Sequence, residues 1–290
     1  MIKVIINADD LGKSQEVNRE IANALSHGMI TSSTILANSL YWDEIHEIVE
    51  ANPTASFGVH LNLTEGKALT NNIVFHSLGI VDDNNNFTKN IRSQDFSNIY
   101  LLDAIYDEWD RQMSRVITEE EIPVTHVDGH HHIHTEIGLS NVLVRILEKY
   151  NVKIARGQYN SIESIQKIFY NKVINLLARS TVVALFLHYL NDHNRNRLTS
   201  YLCNKVEVAS WSIVVMKNAF CLPYFDSYEH FCSQLDKGYR PPNNTMIELM
   251  CHPGHEDYLV EYNMIKSRVL QSYLSNVVLI SYKDIDVKQI

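Results

Sequence analysis

"KVIINADDLGKSQEVNREIANALSHG", residues 3–28, is the stretch on which the fold turns. Its first six residues form an apolar, β-branched run without alternation, as expected of a strand buried on both faces. Ser14 then stands as an N-cap, and Val17, Ile21, Ala24 and Leu25 recur at helical spacing. Gly28 is placed to close that helix. A doubly buried strand followed at once by an amphipathic helix is the repeating unit of a parallel sheet.

The unit recurs outward from there. "SSTILAN" (residues 32–38) reads as a strand, and "DEIHEIVEAN" as a helix stopped by Pro53. Then come "SFGVHLNL", a helix over 101–117, "PVTHVDG", a helix over 139–150, and "VKIAR". Later follow a helix over 227–235, "TMIELMCH", a helix over 259–274, and "VVLISY". About seven alternations predict an α/β fold, a distorted, TIM-like (β/α) barrel, with residues 1–290 as one domain. Between about 161 and 244 the alternation blurs into an insertion-like region, and "NDHNRNRL" has the polar character of a surface loop.

Composition narrows the function. The chain has 290 residues, 45% hydrophobic and 20% charged, an ordinary globular balance. A net charge of −9 argues against a nucleic-acid partner. The longest apolar run, "VVALFL", is too short to span a bilayer, and the N-terminal run is too short for a signal peptide. Cys203, Cys221, Cys232 and Cys251 form no C-x-x-C pair and read as reduced thiols of a cytoplasmic protein.

Polar residues with chemical potential fall at the ends of the apolar runs. Asp9 and Asp10 follow "VIIN", His60 ends "SFGV", and Asp128 and His130 follow "PVTHV". Arg156 ends "VKIA", and His252 follows "MIELMC". In a (β/α) barrel those ends share one mouth, where active sites lie. "HVDGHHHIH", residues 126–134, holds five of the chain's fourteen histidines. A tag would sit at a terminus without Asp, Val and Ile interleaved, so a metal site is the better reading. Taken alone, "DDLG" is also a good turn, and His60 could be a core histidine. Neither explanation accounts for acids and imidazoles recurring at the same place in successive units. In an extended chain His130, His132 and His134 would share a face and His131 would oppose them, although Gly129 permits a sharp turn. A mixed Asp/His set suits Zn²⁺, Mn²⁺, Fe²⁺ or Ni²⁺, and Mg²⁺ if waters complete its shell.

"NADDLG", "TSSTILAN", "GVHLNLTEGKAL", "THVDGHHHIH" and "ELMCHPG" together resemble the YdjC-type carbohydrate deacetylases, a family that includes the chitooligosaccharide deacetylases. The resemblance covers about residues 2–70, 122–157 and 246–285; Leu11 stands where the family more often has Phe. It implies a distorted (β/α) barrel and one divalent metal ion, with Mg²⁺ the first choice and Zn²⁺ or another transition metal the alternative. Asp10, His60 and His130 would be its ligands. Similarity to the NodB-type polysaccharide deacetylases makes Asp9 the base, with His252 a candidate acid. Asp128, Arg156 and His132 would support the ligands or contact the substrate, and pairing with Asp10 or Arg156 would set the pKa of Asp9. His131 and His134 would be dispensable for the metal. The implied substrate is a small acetylated amino sugar, such as diacetylchitobiose or its 6-phosphate. A homodimer is left open, and no membrane or nucleic-acid partner is expected. Trp42, Trp109, Trp211 and Tyr224 are candidates to stack on a sugar, although large aromatics are more often core.

The competing readings rank lower. A glycosidase using Asp9 and Asp128 on a phosphorylated disaccharide leaves the histidines idle. A non-catalytic metal- or sugar-binding protein on the same barrel is a second, and a phosphoesterase lacks carboxylates for a second metal.

Overall fold

The computed structural model describes residues 1–156, 227–241 and 246–285. Six strands carry it: β1 (Ile2–Leu11), β2 (Ser32–Ile35), β3 (Ser56–Leu61), β4 (Val124–Gly129), β5 (Met246–Cys251) and β6 (Val277–Leu279). They form one sheet in the order β4-β3-β2-β1-β5, with β6 on the first residues of β1. Every pair is parallel, so the C-terminal ends of the strands lie along one edge. This is the α/β, barrel-like sheet expected from the alternation.

The helices form where caps and periodicity place them. In α1 (Gln15–Ser26) the Ser14 hydroxyl accepts from the Val17 amide at 3.2 Å, and Val17, Ile21, Ala24 and Leu25 are buried. A cap of this kind contributes about 1 kcal/mol. Gly28, at φ +61°, ends the helix, and the Met29 amide returns to the Ala24 carbonyl at 2.9 Å. α2 (Trp42–Ala51) and α3 (Ile73–Ser77) follow. α4 (Ile99–Ser114) widens into a π turn over Arg115–Glu119 and buries Glu108 and Gln112 with its apolar face. α5 (Ser140–Lys149) and α6 (Tyr228–Asp236) stand within a residue or so of their predicted bounds. Among the described residues no helix is long and apolar enough to cross a membrane.

Two expectations change. "VKIAR" forms no strand: Ala155 makes a single parallel bridge to Val127, which still fixes Arg156 beside β4. The helix expected over 259–274 is broken into α7 (Leu259–Lys266) and α8 (Val269–Tyr273), because Arg268 takes a left-handed conformation at φ +52°. Most of the 161–244 region, with Cys203, Trp211, Cys221 and Tyr224, lies outside the described residues.

Candidate metal centre

The site is built at the C-terminal edge of the sheet, beginning with the last residues of β1. Side chains alternate along a regular strand, so neighbouring aspartates should face opposite ways. Here the β1–β2 register shifts between Ala8 and Leu11, and Asp10 sits at φ +70°. That break turns both Asp9 and Asp10 inward, each only 3% exposed. Asp tolerates the left-handed region better than most residues, at a cost of order 1 kcal/mol.

Asp10 Oδ1 lies 3.2 Å from His60 Nε2 and 2.7 Å from His130 Nδ1. By geometry this buried oxygen has no hydrogen-bond partner among the described residues. Asp10, His60 and His130, from β1, β3 and the turn after β4, thus form a buried group able to hold a metal ion. Donors around a small divalent ion at about 2.1 Å stand roughly 3 Å apart, which these separations match. The residues fit such an ion. Burial alone would raise the Asp10 carboxyl, but the His130, His255 and His60 imidazoles outweigh it and hold it well below its ordinary value.

His60 is fixed from behind. Its Nδ1 is 2.6 Å from Asp128 Oδ1 and 3.2 Å from Thr34 Oγ1, so Nε2 is the nitrogen presented to Asp10. Burial pulls this imidazole down, yet Asp128 and Asp10 pull it up further, to about 10. The carboxylates around this ring thus favour a positive charge beside Asp10.

Arg156 ties the acids together. It pairs bidentately with Asp9 at 2.7 Å on both oxygens, reaches Asp128 Oδ2 at 2.9 Å, and donates through Nε to Glu248 Oε1 at 2.8 Å. Burial would raise the Asp9 carboxyl; the guanidinium reverses this and holds it far below the usual range. Asn7 adds a donor to Asp9 at 2.8 Å. Asp9, His60 and Asp128 also lie close enough to hold an ion, but Arg156 already neutralises both carboxylates there.

The histidine stretch divides by geometry. The chain is not extended after Gly129; it turns through a 3₁₀ segment, His130–Thr135, with His131 and His132 left-handed at φ +51° and +57°. His130 alone joins Asp10. His131 lies tilted against His130 at 3.9 Å between centroids and bonds Thr64 Oγ1 through Nδ1 at 2.8 Å. His126 lies deep in the sheet, stacked on Tyr282 at 3.7 Å. Burial lowers His131 and His132 to about 4 and His126 and His134 well below the ordinary value. His134 is packed on Gly129, with the Arg156 backbone as a polar neighbour.

After β5, Pro253 and Gly254 turn the chain so that His252 and His255 both approach the acids. His252 stacks on Tyr258 at 4.1 Å, and its amide donates to Glu261 Oε2 at 2.7 Å. Burial lowers its pKa, but Glu261, Asp9 and Asp10 more than compensate, leaving it raised. His255 Nε2 is 3.2 Å from Asp10 Oδ2. Sequence reasoning missed His255, Glu248 and Glu65. Each stands within or beside a quoted motif, but only the tertiary fold aims it inward. Glu65 Oε2 accepts from His130 Nε2 at 2.8 Å and from Lys13 Nζ at 3.0 Å, which together hold its carboxyl at about 2. Trp109 is core, and Trp42 lies under the Arg115 guanidinium.

The family described as YdjC-like protein matches residues 3–276 of this chain. Three similar curated proteins all bear the name "Carbohydrate deacetylase". The one from Vibrio campbellii (strain ATCC BAA-1116) is 33% identical over 153 residues, covering 53% of this chain and 58% of that protein. The one from Brevibacillus brevis (strain 47 / JCM 6285 / NBRC 100599) is 29% identical over 157 residues, covering 53% and 58%. The one from Halalkalibacterium halodurans (strain ATCC BAA-125 / DSM 18197 / FERM 7344 / JCM 9153 / C-125) is 30% identical over 167 residues, covering 55% and 65%. The chain thus spans less than two thirds of the length of the relatives it matches. A solved structure from Enterococcus faecalis V583, named as a candidate cellobiose-phosphate cleavage protein, aligns with a TM-score of 0.63 at 20% identity over 97% of both chains. At that identity the likeness speaks for the fold alone.

Proposed function

This chain belongs to the YdjC-like family, and from that premise we propose that it is a divalent-metal-dependent hydrolase removing N-acetyl groups from acetylated amino sugars. The observation that carries the reading is the buried Asp10 oxygen facing two imidazole nitrogens, each ring backed by a carboxylate. The names of the curated relatives support sugar deacetylation. Small chitooligosaccharides, diacetylchitobiose or its 6-phosphate, are the proposed substrates. One carboxylate oxygen and two imidazole nitrogens suit Zn²⁺ or another transition ion at least as well as Mg²⁺, which would need waters to complete its octahedron. The buried free thiols Cys232 and Cys251 favour a reducing, cytoplasmic compartment. The shared core of the six strands supports a single domain.

A bound divalent ion supplies Lewis acidity, which acidifies water and polarises a carbonyl. Asp9 accepts a proton from the attacking water; clamped by Arg156, it is a weak base and acts only on a water already made acidic. The water oxygen bonds to the acetyl carbon and the C–N bond breaks. His252, whose protonated form Glu261 and the two aspartates favour, gives its proton to the leaving sugar nitrogen. The products are acetate and a free amine. A glycosidase reading needs Asp128 at the anomeric carbon. Yet Asp128 is fully buried, with one oxygen on His60 and the other on Thr34 and Arg156.

Incubation with N,N′-diacetylchitobiose, with and without its 6-phosphate, should release acetate and leave the disaccharide linkage intact by mass spectrometry. Chelator should stop the reaction, and added divalent ion should restore it. Acetylated monosaccharides that persist in chelator would overturn the proposal in favour of glycoside cleavage.

A further inference from the structure

The two histidines of the metal centre are held in opposite senses. Asp128 Oδ1 takes the Nδ1 proton of His60 at 2.6 Å, which turns Nε2 toward Asp10 as the nitrogen a metal would take once its proton is lost. Glu65 Oε2 takes the Nε2 proton of His130 at 2.8 Å, which leaves Nδ1 bare toward the same oxygen. A bare ring nitrogen and a carboxylate oxygen 2.7 Å apart repel one another unless a cation lies between them. We propose that Glu65 is a positioning residue that fixes His130 as its Nε2–H tautomer, so that His130 meets the metal through Nδ1 while His60 meets it through Nε2. This rests on the metal-dependent reading above.

The loop bearing Glu65 is built for the task, although its side chain is 44% exposed. Asn62 Oδ1 accepts from the amides of Thr64 at 2.9 Å and Glu65 at 3.2 Å, and its Nδ2 donates to the Glu65 carbonyl at 2.6 Å. Asn62 is pinned in turn by Gln112, which contacts its amide at 2.9 Å and its carbonyl at 2.7 Å. Lys13 Nζ, 3.0 Å from Glu65 Oε2 and 3.7 Å from Asp10 Oδ2, ties Glu65 back to the first ligand. Glu65, His130 and His131 lie close enough to be taken for a second ion site. However, Lys13 already occupies Oε2, and Thr64 already engages His131 Nδ1. Glu65 therefore acts on the first centre. A carboxylate behind a ligating imidazole fixes its tautomer and raises its basicity, and its loss typically weakens metal binding about 10–100-fold.

Zn²⁺ titration of the metal-free protein, with long-range ¹H–¹⁵N spectra of the zinc-loaded form, tests this. We expect His130 to show a protonated Nε2 and a zinc-bound Nδ1, and His60 the reverse. Glu65→Ala should weaken zinc binding about 10–100-fold. Glu65→Gln, whose amide oxygen still accepts the Nε2 proton, should lose less and keep the tautomer. Wild-type affinity in Glu65→Ala, or a protonated Nδ1 on His130 in the wild type, would overturn the inference and leave the metal reading standing. A wild type that binds no Zn²⁺, or a His60→Ala variant that binds as well as wild type, would overturn both.

Discussion

Asp9 and Asp10 are the same side chain one peptide apart, and their surroundings separate them. Asp9 is locked on a guanidinium, whereas Asp10 faces imidazole nitrogens. Asp9→Asn should therefore keep the metal and lose about 10²–10⁴ in turnover, because Arg156 retains Asp128 and Glu248 as partners. His60→Ala should lose metal and turnover together. Metal analysis and acetate release on the same preparations check this, and an emptied site in Asp9→Asn would mean that the two aspartates exchange roles. Asp9, Asp10, His60, Asp128, His130, Arg156 and His252 were legible because they end apolar runs. Glu65 was not, since its placement depends on Gln112, fifty residues from Asn62 along the chain. No local spacing encodes that contact.

Strands and helices were the most legible level, because a strand buried on both faces cannot hide its composition. What escaped reading was handedness at single residues: Asp10, His131, His132 and Arg268 all take positive φ without being glycine. Gly254 is the converse, a position that only glycine suits. At φ +83°, an added Cβ would lie 2.7 Å from Val17 Cα and 3.0 Å from the Glu16 carbonyl. Gly254→Ala should therefore cost about 2–4 kcal/mol through left-handed strain and overpacking against the start of α1. Chemical denaturation would measure the loss, with a fall in turnover expected as His252 and His255 shift. A variant within about 0.5 kcal/mol of wild type would show that the turn is not wedged against α1.

Asp9, Asp10, His60, Asp128, His130 and Arg156 gather buried ionisable groups in one place, so stability should follow the occupancy of that place. Without metal, His60 carries a pKa raised to about 10 from an ordinary 6.5. A raised imidazole stabilises the fold fully below 6.5, and that contribution disappears as pH climbs toward 10. The thermal midpoint in chelator should accordingly fall across that window. A metal ion must displace the same proton, so zinc binding should tighten as pH rises and the gap between the zinc and chelator curves should widen. At a hundredfold excess over Kd the ion would add about 2.7 kcal/mol. A gap that stays constant with pH would show that His60 surrenders no proton. The left-handed peptide at Asp10 has a consequence for anyone transplanting this centre into another barrel. Copied onto an unbroken strand end, the same two letters would send one carboxylate to the pocket and the other out among the helices. Straightening the strand between Ala8 and Leu11 would leave every ligand in the text and remove the centre from the molecule. The recipe is a backbone shape with side chains attached, and only the shape makes two consecutive acids into colleagues.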